Sequence, residues 1–188
     1  MVVFDYSEHS KVKSQLYKIS QQPYNDFKWR SGLKYRETIK EVDTLLTWIE
    51  SLVPYVAHGL SRRGCNPDND MSYLQGVLEL NRNPSEFGGG DEFGFDPFGF
   101  TLYECWFVYY KKDDKLNTHD HFPYPITFVY YINCPEGSSP IILNGQEHTM
   151  KEGQLIFFNG HDDHSVPIST VDGRAVMTGC LAYDRARE

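Results

Sequence analysis

Apolar residues recur at three- and four-residue steps between Tyr35 and Val53: Ile39, Val42, Leu45, Leu46, Ile49, Leu52 and Val53. Glu37, Lys40, Glu41, Asp43 and Glu50 hold the other face. That period predicts an amphipathic helix, which buttresses one face of a sheet and carries no chemistry. Pro54 has no N–H to give, so the helix is expected to end or kink there. A weaker helical pattern places Val12, Leu16 and Ile19 on one face and ends near Gln21-Gln22-Pro23, after a short edge-like run, Val2-Val3-Phe4. Trp29-Arg30-Ser31-Gly32 reads as a turn.

From Thr101 onward the pattern shortens to β-rich runs separated by turn signals. Strands are expected over Thr101 to Tyr110, Thr127 to Asn133, Pro140 to Leu143, Gln146 to Met150, Gln154 to Phe158, His164 to Ile168 and Arg174 to Tyr183. Asn144-Gly145 is a strong two-residue hairpin signal, and Asp113-Asp114, Glu152-Gly153, Asn159-Gly160 and Asp172-Gly173 mark further turns. Short strands at this spacing predict a sandwich or jelly roll. Residues 59 to 100 are less legible. Ser72 to Leu80 fits a strand or a short helix, and 87 to 100 packs five glycines and five phenylalanines into fourteen residues. Such a stretch serves equally as a lid over a site or as a surface loop pinned by its phenylalanines.

Length and charge narrow the classes. A chain of 188 residues suits one domain spanning 1–188, with 1–100 as helical support and lid region and 101–188 as the β core. The net charge of −8 leaves no general basic field for a nucleic-acid backbone, and only Ser61-Arg62-Arg63 and Lys111-Lys112 hint at a local patch, so no nucleic-acid partner is expected. Cys65, Cys105, Cys134 and Cys180 form no CxxC pair and read as reduced, mostly buried thiols, which favours a cytoplasmic location. No signal peptide is evident at the N-terminus, and no window approaches the roughly 20 apolar residues of a membrane span. Exposed strand edges and aromatics permit a homodimer without requiring one.

The candidate chemistry lies in the β half. Five of the seven histidines fall between positions 119 and 164: His119, His121, His148, His161 and His164. His119 and His121, at i and i+2 on an extended strand, are expected on one face, with Asp120 on the other. His164 from a distant strand completes a three-ligand cap that leaves metal positions open for substrate. His148 and His161 read as bystanders.

From about Cys105 to Tyr183 the chain resembles the double-stranded β-helix core of the 2-oxoglutarate and Fe(II)-dependent oxygenases, especially the prolyl-hydroxylase-like branch. Tyr110 precedes His119 by nine residues, and Thr127-Phe128-Val129-Tyr130-Tyr131-Ile132-Asn133 follows the T-x-x-x-Y-L-N strand. Gly153-Gln154-Leu155-Ile156-Phe157 follows G-x-L-x-F, and Gly173-Arg174 stands at the family's distance after His164. The resemblance implies a mainly β, cupin-like jelly roll with flanking helices. It further implies Fe(II) on His119, His121 and His164, with Arg174, Tyr131 and Tyr110 around the 2-oxoglutarate cosubstrate. No catalytic residue is implied beyond the metal ligands. Such an enzyme couples oxidative decarboxylation of the cosubstrate to hydroxylation of an unidentified small molecule or protein side chain.

One departure is serious. His121 stands where the family carries the Asp of HxD, which removes a negative charge from the ligand set; Asp120 and Asp163 replace it only if a bulge re-aims them. Leu116 stands where related sequences often carry a tyrosine near the cosubstrate. Two other readings stay open: a cupin-like three-histidine dioxygenase that does not use 2-oxoglutarate, and a non-catalytic jelly-roll binding module.

Overall fold

A computed structural model describes residues 1–22, 30–61 and 99–183. Ser72 to Leu80 and nearly all of the Gly/Phe stretch lie outside the described residues. Nine strands and three helices are present among those described: β1 (Val2–Asp5), α1 (His9–Ser20), α2 (Ser31–Arg36), α3 (Lys40–Ser61), β2 (Phe100–Tyr110), β3 (Leu116–His119), β4 (Ile126–Asn133), β5 (Ile141–Leu143), β6 (Gln146–His148), β7 (Gln154–Asn159), β8 (His164–Val166) and β9 (Arg174–Tyr183).

The strands form two antiparallel sheets, ordered β1-β7-β4-β9-β2 and β3-β8-β5-β6. From β2 the chain alternates between them: β2, β4, β7 and β9 belong to the larger sheet, while β3, the β5–β6 hairpin and β8 belong to the smaller one. This winding is the double-stranded β-helix of a jelly roll. The predicted hairpin is present, with Asn144 at φ 50° and Gly145 at φ 79°, the left-handed pair that a two-residue turn matching strand twist requires.

Strand β4 is buried along almost its whole length because both of its faces are covered. Phe128, Tyr130 and Ile132 join the core under the helices, whereas Val129 and Tyr131 join the core between the sheets. Helices α1 and α3 lie over the first of these cores, with Val12, Leu16, Val42, Leu45, Leu46, Ile49, Val53 and Val56 buried. Each side chain of this size stabilises by about 1.5–3 kcal/mol when fully buried.

The helical region corrects two expectations and narrows a third. The single helix from Tyr35 is two, α2 and α3, folded onto one another where Arg36 pairs with Asp43 and Glu50. Of the expected turn at 29–32, Arg30 precedes α2 and Ser31 and Gly32 open it; Trp29 lies outside the described residues. Pro54 does not end α3, which runs on to Ser61. The lost hydrogen bond is outweighed by burial of Val53, Val56 and Ala57 on either side of it.

Candidate metal and anion site

Strand β3 is short, and its pairing with β8 sets His119 directly across from His164. His164 is also paired with Leu143 of β5, so the strands on both sides of β8 hold it. The strand stops at His119, and His121 lies beyond it, not on the extended strand that the i, i+2 argument assumed. Its backbone N–H donates instead to the carbonyl of Gly160 at 2.7 Å, which brings the imidazole back to the other two. Asp120 accepts a hydrogen bond from the Phe122 N–H and stays outside the group, and Asp163 is exposed.

The nitrogen donors of His119, His121 and His164 lie within 4.8 Å of one another. Ring centroids are 4.2 Å apart for His119 and His164, 4.9 Å for His121 and His164, and 5.1 Å for His119 and His121. Two rings are oriented from behind: His119 Nδ1 lies 2.9 Å from the Asn117 carbonyl, and His164 Nδ1 lies 3.1 Å from the Asp162 carbonyl. A carbonyl can only accept, so each Nδ1 carries the proton and each Nε2 presents a lone pair. Burial, reinforced by His164 and His119, holds the His121 imidazole down to about 4. Burial likewise lowers His164. The Nε2 atoms of His119 and His164, with a ring nitrogen of His121, fit a first-row divalent metal. His148 on β6 and His161, tilted against Phe122 with ring centres 5.4 Å apart, stand apart from the group.

The imidazoles share a cavity of about 120 Å³ with a guanidinium. Its walls are largely apolar, from Trp106, Val108, Leu116, Val129, Val166 and Val176 among others, and Tyr110, Thr178 and Arg174 enter from the larger sheet. The Thr178 hydroxyl is committed to the Phe128 carbonyl at 2.8 Å. Arg174 is only 2% exposed, a rare state for an arginine with no acidic partner among the described residues. Its Cζ lies 4.6 Å from the Tyr110 ring centre, directly across the β2–β9 ladder, and 5.4 Å from that of Tyr131. Arg174 Nη1 and the Tyr131 hydroxyl are buried with no hydrogen-bond partner among the described residues. Burial raises both the Tyr131 and Tyr110 phenols, partly offset by the adjacent guanidinium, so both keep their protons and can donate. A buried guanidinium nitrogen and a buried hydroxyl, each without a hydrogen-bond partner of good geometry among the described residues, fit an anion with several acceptor oxygens.

Comparison with known proteins adds little beyond these observations. No family model and no curated protein matches the sequence. Among solved structures, the chain is similar to a 2OG-Fe(II) oxygenase family oxidoreductase from Burkholderia pseudomallei, with 15% identity over 60% of this chain and 59% of that one, at a TM-score of 0.41. The chain therefore spans less than two thirds of that protein. A Pseudomonas putida prolyl-4-hydroxylase matches 74% of this chain and 82% of its own, with 20% identity and a TM-score of 0.37. An RmlC-like cupin from Desulfovibrio desulfuricans matches 47% of this chain and 86% of its own, with 16% identity and a TM-score of 0.35. Oxygenases and cupins, the two classes suggested by the sequence pattern, are thus both represented. None of these likenesses reaches a TM-score of 0.5, so the chemistry must be judged on the residues themselves.

The structure brings together His119, His121 and His164 around one wall of the cavity and Arg174 and Tyr110 around another, with Tyr131 behind the guanidinium, its ring centre 5.4 Å from Arg174 Cζ. Sequence reasoning missed Trp106, edge-on to His121 with ring centres 5.7 Å apart, and Thr178. Both occupy ordinary inward positions of long strands, which carry no sequence signal of their own. The carbonyls of Asn117 and Asp162 were equally invisible, because a backbone acceptor is the same for every residue type.

Proposed function

We propose that the protein is a non-haem Fe(II), 2-oxoglutarate-dependent oxygenase that hydroxylates a small molecule or a protein side chain. The observation that carries this reading is the buried, unpartnered pair of Arg174 Nη1 and the Tyr131 hydroxyl beside a cavity that also holds three convergent imidazoles. Either feature alone has other uses; together they match a ligand that binds metal through one part and ends in a carboxylate.

His119, His121 and His164 would hold Fe(II) through Nε2 in the two oriented rings, His119 and His164, and through the free ring nitrogen of His121. Bound Fe(II) and 2-oxoglutarate supply, with O₂, the oxidative decarboxylation of the keto acid and the oxidation of a substrate C–H bond. The remaining work belongs to the chain. The planar Arg174 fork matches a carboxylate in two parallel hydrogen bonds, and the protonated Tyr131 hydroxyl adds a third donor. Tyr110 keeps the guanidinium in place through its ring face. The aliphatic walls formed by Val108, Leu116, Val129, Val166 and Val176 exclude water from the space between the imidazoles and the cation.

A second reading has one specific observation in its favour. No carboxylate among the described residues joins the three imidazoles, as in a cupin-like dioxygenase whose substrate binds the metal directly. Anaerobic titration of Fe(II)-loaded protein with 2-oxoglutarate separates the two. The oxygenase reading expects a weak visible charge-transfer band that saturates with wild type and needs at least ~10-fold more keto acid with Arg174→Ala, at unchanged iron content. Bound iron with no band at any concentration rejects 2-oxoglutarate and leaves the cupin-like reading. Failure to bind any divalent metal rejects both.

A further inference from the structure

We propose that Asn133 is a positioning residue for Arg174, acting through the Gly173 peptide. This rests on the assignment of Arg174 to the 2-oxoglutarate carboxylate. The direction of a buried guanidinium is set largely by the backbone from which it springs, and here both polar groups of the preceding residue are held. Gly173 donates its N–H to the Tyr110 carbonyl at 3.0 Å, and its own carbonyl accepts from Asn133 Nδ2 at 2.7 Å. The peptide that joins Gly173 to Arg174 is therefore fixed in orientation by a side chain from another strand.

The neighbouring geometry explains why that side chain reaches it. The β4–β9 register shifts between Tyr131 and Asn133, so Asn133 sits opposite Ala175, and its amide extends back to Gly173. A bulge at the end of a strand re-aims a side chain in this way. Gly173 adopts φ +97°, and an added Cβ would lie 3.1 Å from the Tyr17 hydroxyl, so the turn that delivers Arg174 is both conformationally restricted and enclosed. The loop ahead of it is tied to the β2–β3 turn by Lys112 N–H to Asp172 Oδ1 at 2.9 Å, Asp113 N–H to the Ser169 carbonyl at 2.8 Å and Ser169 N–H to the Asp114 carbonyl at 2.8 Å. Asn133 contributes the side-chain donor that closes this frame on the Arg174 side. The last residue of the T-x-x-x-Y-L-N pattern thereby acquires a physical role, since it shares a strand with Tyr131 and holds the peptide from which Arg174 extends.

The test is a double-mutant cycle read by calorimetric titration of Fe(II)-loaded protein with 2-oxoglutarate under anaerobic conditions. Wild type, Asn133→Ala, Arg174→Ala and the double variant are compared, and Fe(II) affinity is measured alongside. Asn133→Ala is expected to weaken keto-acid binding about 10-fold, roughly 1.4 kcal/mol, with Fe(II) affinity unchanged. In the Arg174→Ala background the same change is expected to add nothing, since its effect passes through the missing side chain. Asn133→Asp, which sets an acceptor against the Gly173 carbonyl, should reproduce the loss and serves if the alanine variant does not fold. Wild-type affinity in a folded Asn133 variant overturns the inference, as does an equal further loss on the Arg174→Ala background. If wild type binds Fe(II) but no 2-oxoglutarate, the oxygenase assignment fails first and this inference falls with it.

Discussion

The residue that most distinguishes this site is His121. It brings a third imidazole where a carboxylate would offset the charge of a metal, and it reaches the cluster from beyond the end of β3. Replacing it with Asp is expected to preserve or strengthen Fe(II) binding, measured by anaerobic metal titration; complete loss of iron with the fold intact would mean that position 121 is not a ligand. Its titration also predicts a pH effect on the metal-free protein. The folded imidazole protonates near 4 against an ordinary value of 6.5. Between those values the unfolded chain takes up a proton that the folded chain refuses. The stability contributed by His121 is therefore present above about pH 6.5 and lost as the pH falls towards 4. Partial exposure of the ring screens the effect to the order of 1 kcal/mol. Urea midpoints at pH 7 and pH 4.5 should fall less for His121→Asn than for wild type, and equal falls would contradict the burial-driven shift.

Among the elements, α2 and α3 depend on contacts that local propensity does not supply. An added Cβ at Gly32 would sit 2.4 Å from the Cys105 sulfur and 3.0 Å from the Cys105 carbonyl, so α2 packs on β2 only because that position has no side chain. Gly32→Ala should lower stability by about 1–3 kcal/mol, and Cys105→Ala should restore part of it; independence of the two changes in chemical denaturation would argue against the contact. In α3, Pro54 leaves the Glu50 carbonyl without its helical N–H donor. Pro54→Ala is expected to stabilise the protein by about 1–2 kcal/mol, the recovered helix terms less the entropy that proline removes from the unfolded chain. A lower urea midpoint would show that the ring itself is required for packing.

For the whole molecule, a metal on the three imidazoles would tie an edge strand and the segment after it to an interior strand of the smaller sheet. His119 lies on β3, an edge strand of the smaller sheet, His121 in the segment after it and His164 on the adjacent β8. Fe(II) at about 100 times its dissociation constant should raise unfolding stability by about 2.7 kcal/mol, seen as an increase in melting temperature under anaerobic conditions. His164→Ala should remove that increase, and its persistence would place the metal elsewhere.

Much of this was legible in the chain. The short β-rich runs from 101 onward and the Asn144-Gly145 turn named the strands of a jelly roll, because β-forming composition and left-handed turn residues are local properties. The histidines could be singled out by residue type and spacing, whereas Arg174 and Tyr131 were singled out by the family resemblance. Other features were decided only in three dimensions. Strand β3 ends before His121, α3 continues through Pro54, and Asn133 turns back to Gly173, each because a packing or hydrogen-bond partner distant in sequence outweighs the local preference. The unpartnered state of Arg174 Nη1 and the Tyr131 hydroxyl belongs to the same class. The sequence by itself determined which groups could do chemistry; the packing of two sheets determined which of them are buried together, since burial and pairing are properties of the assembled fold.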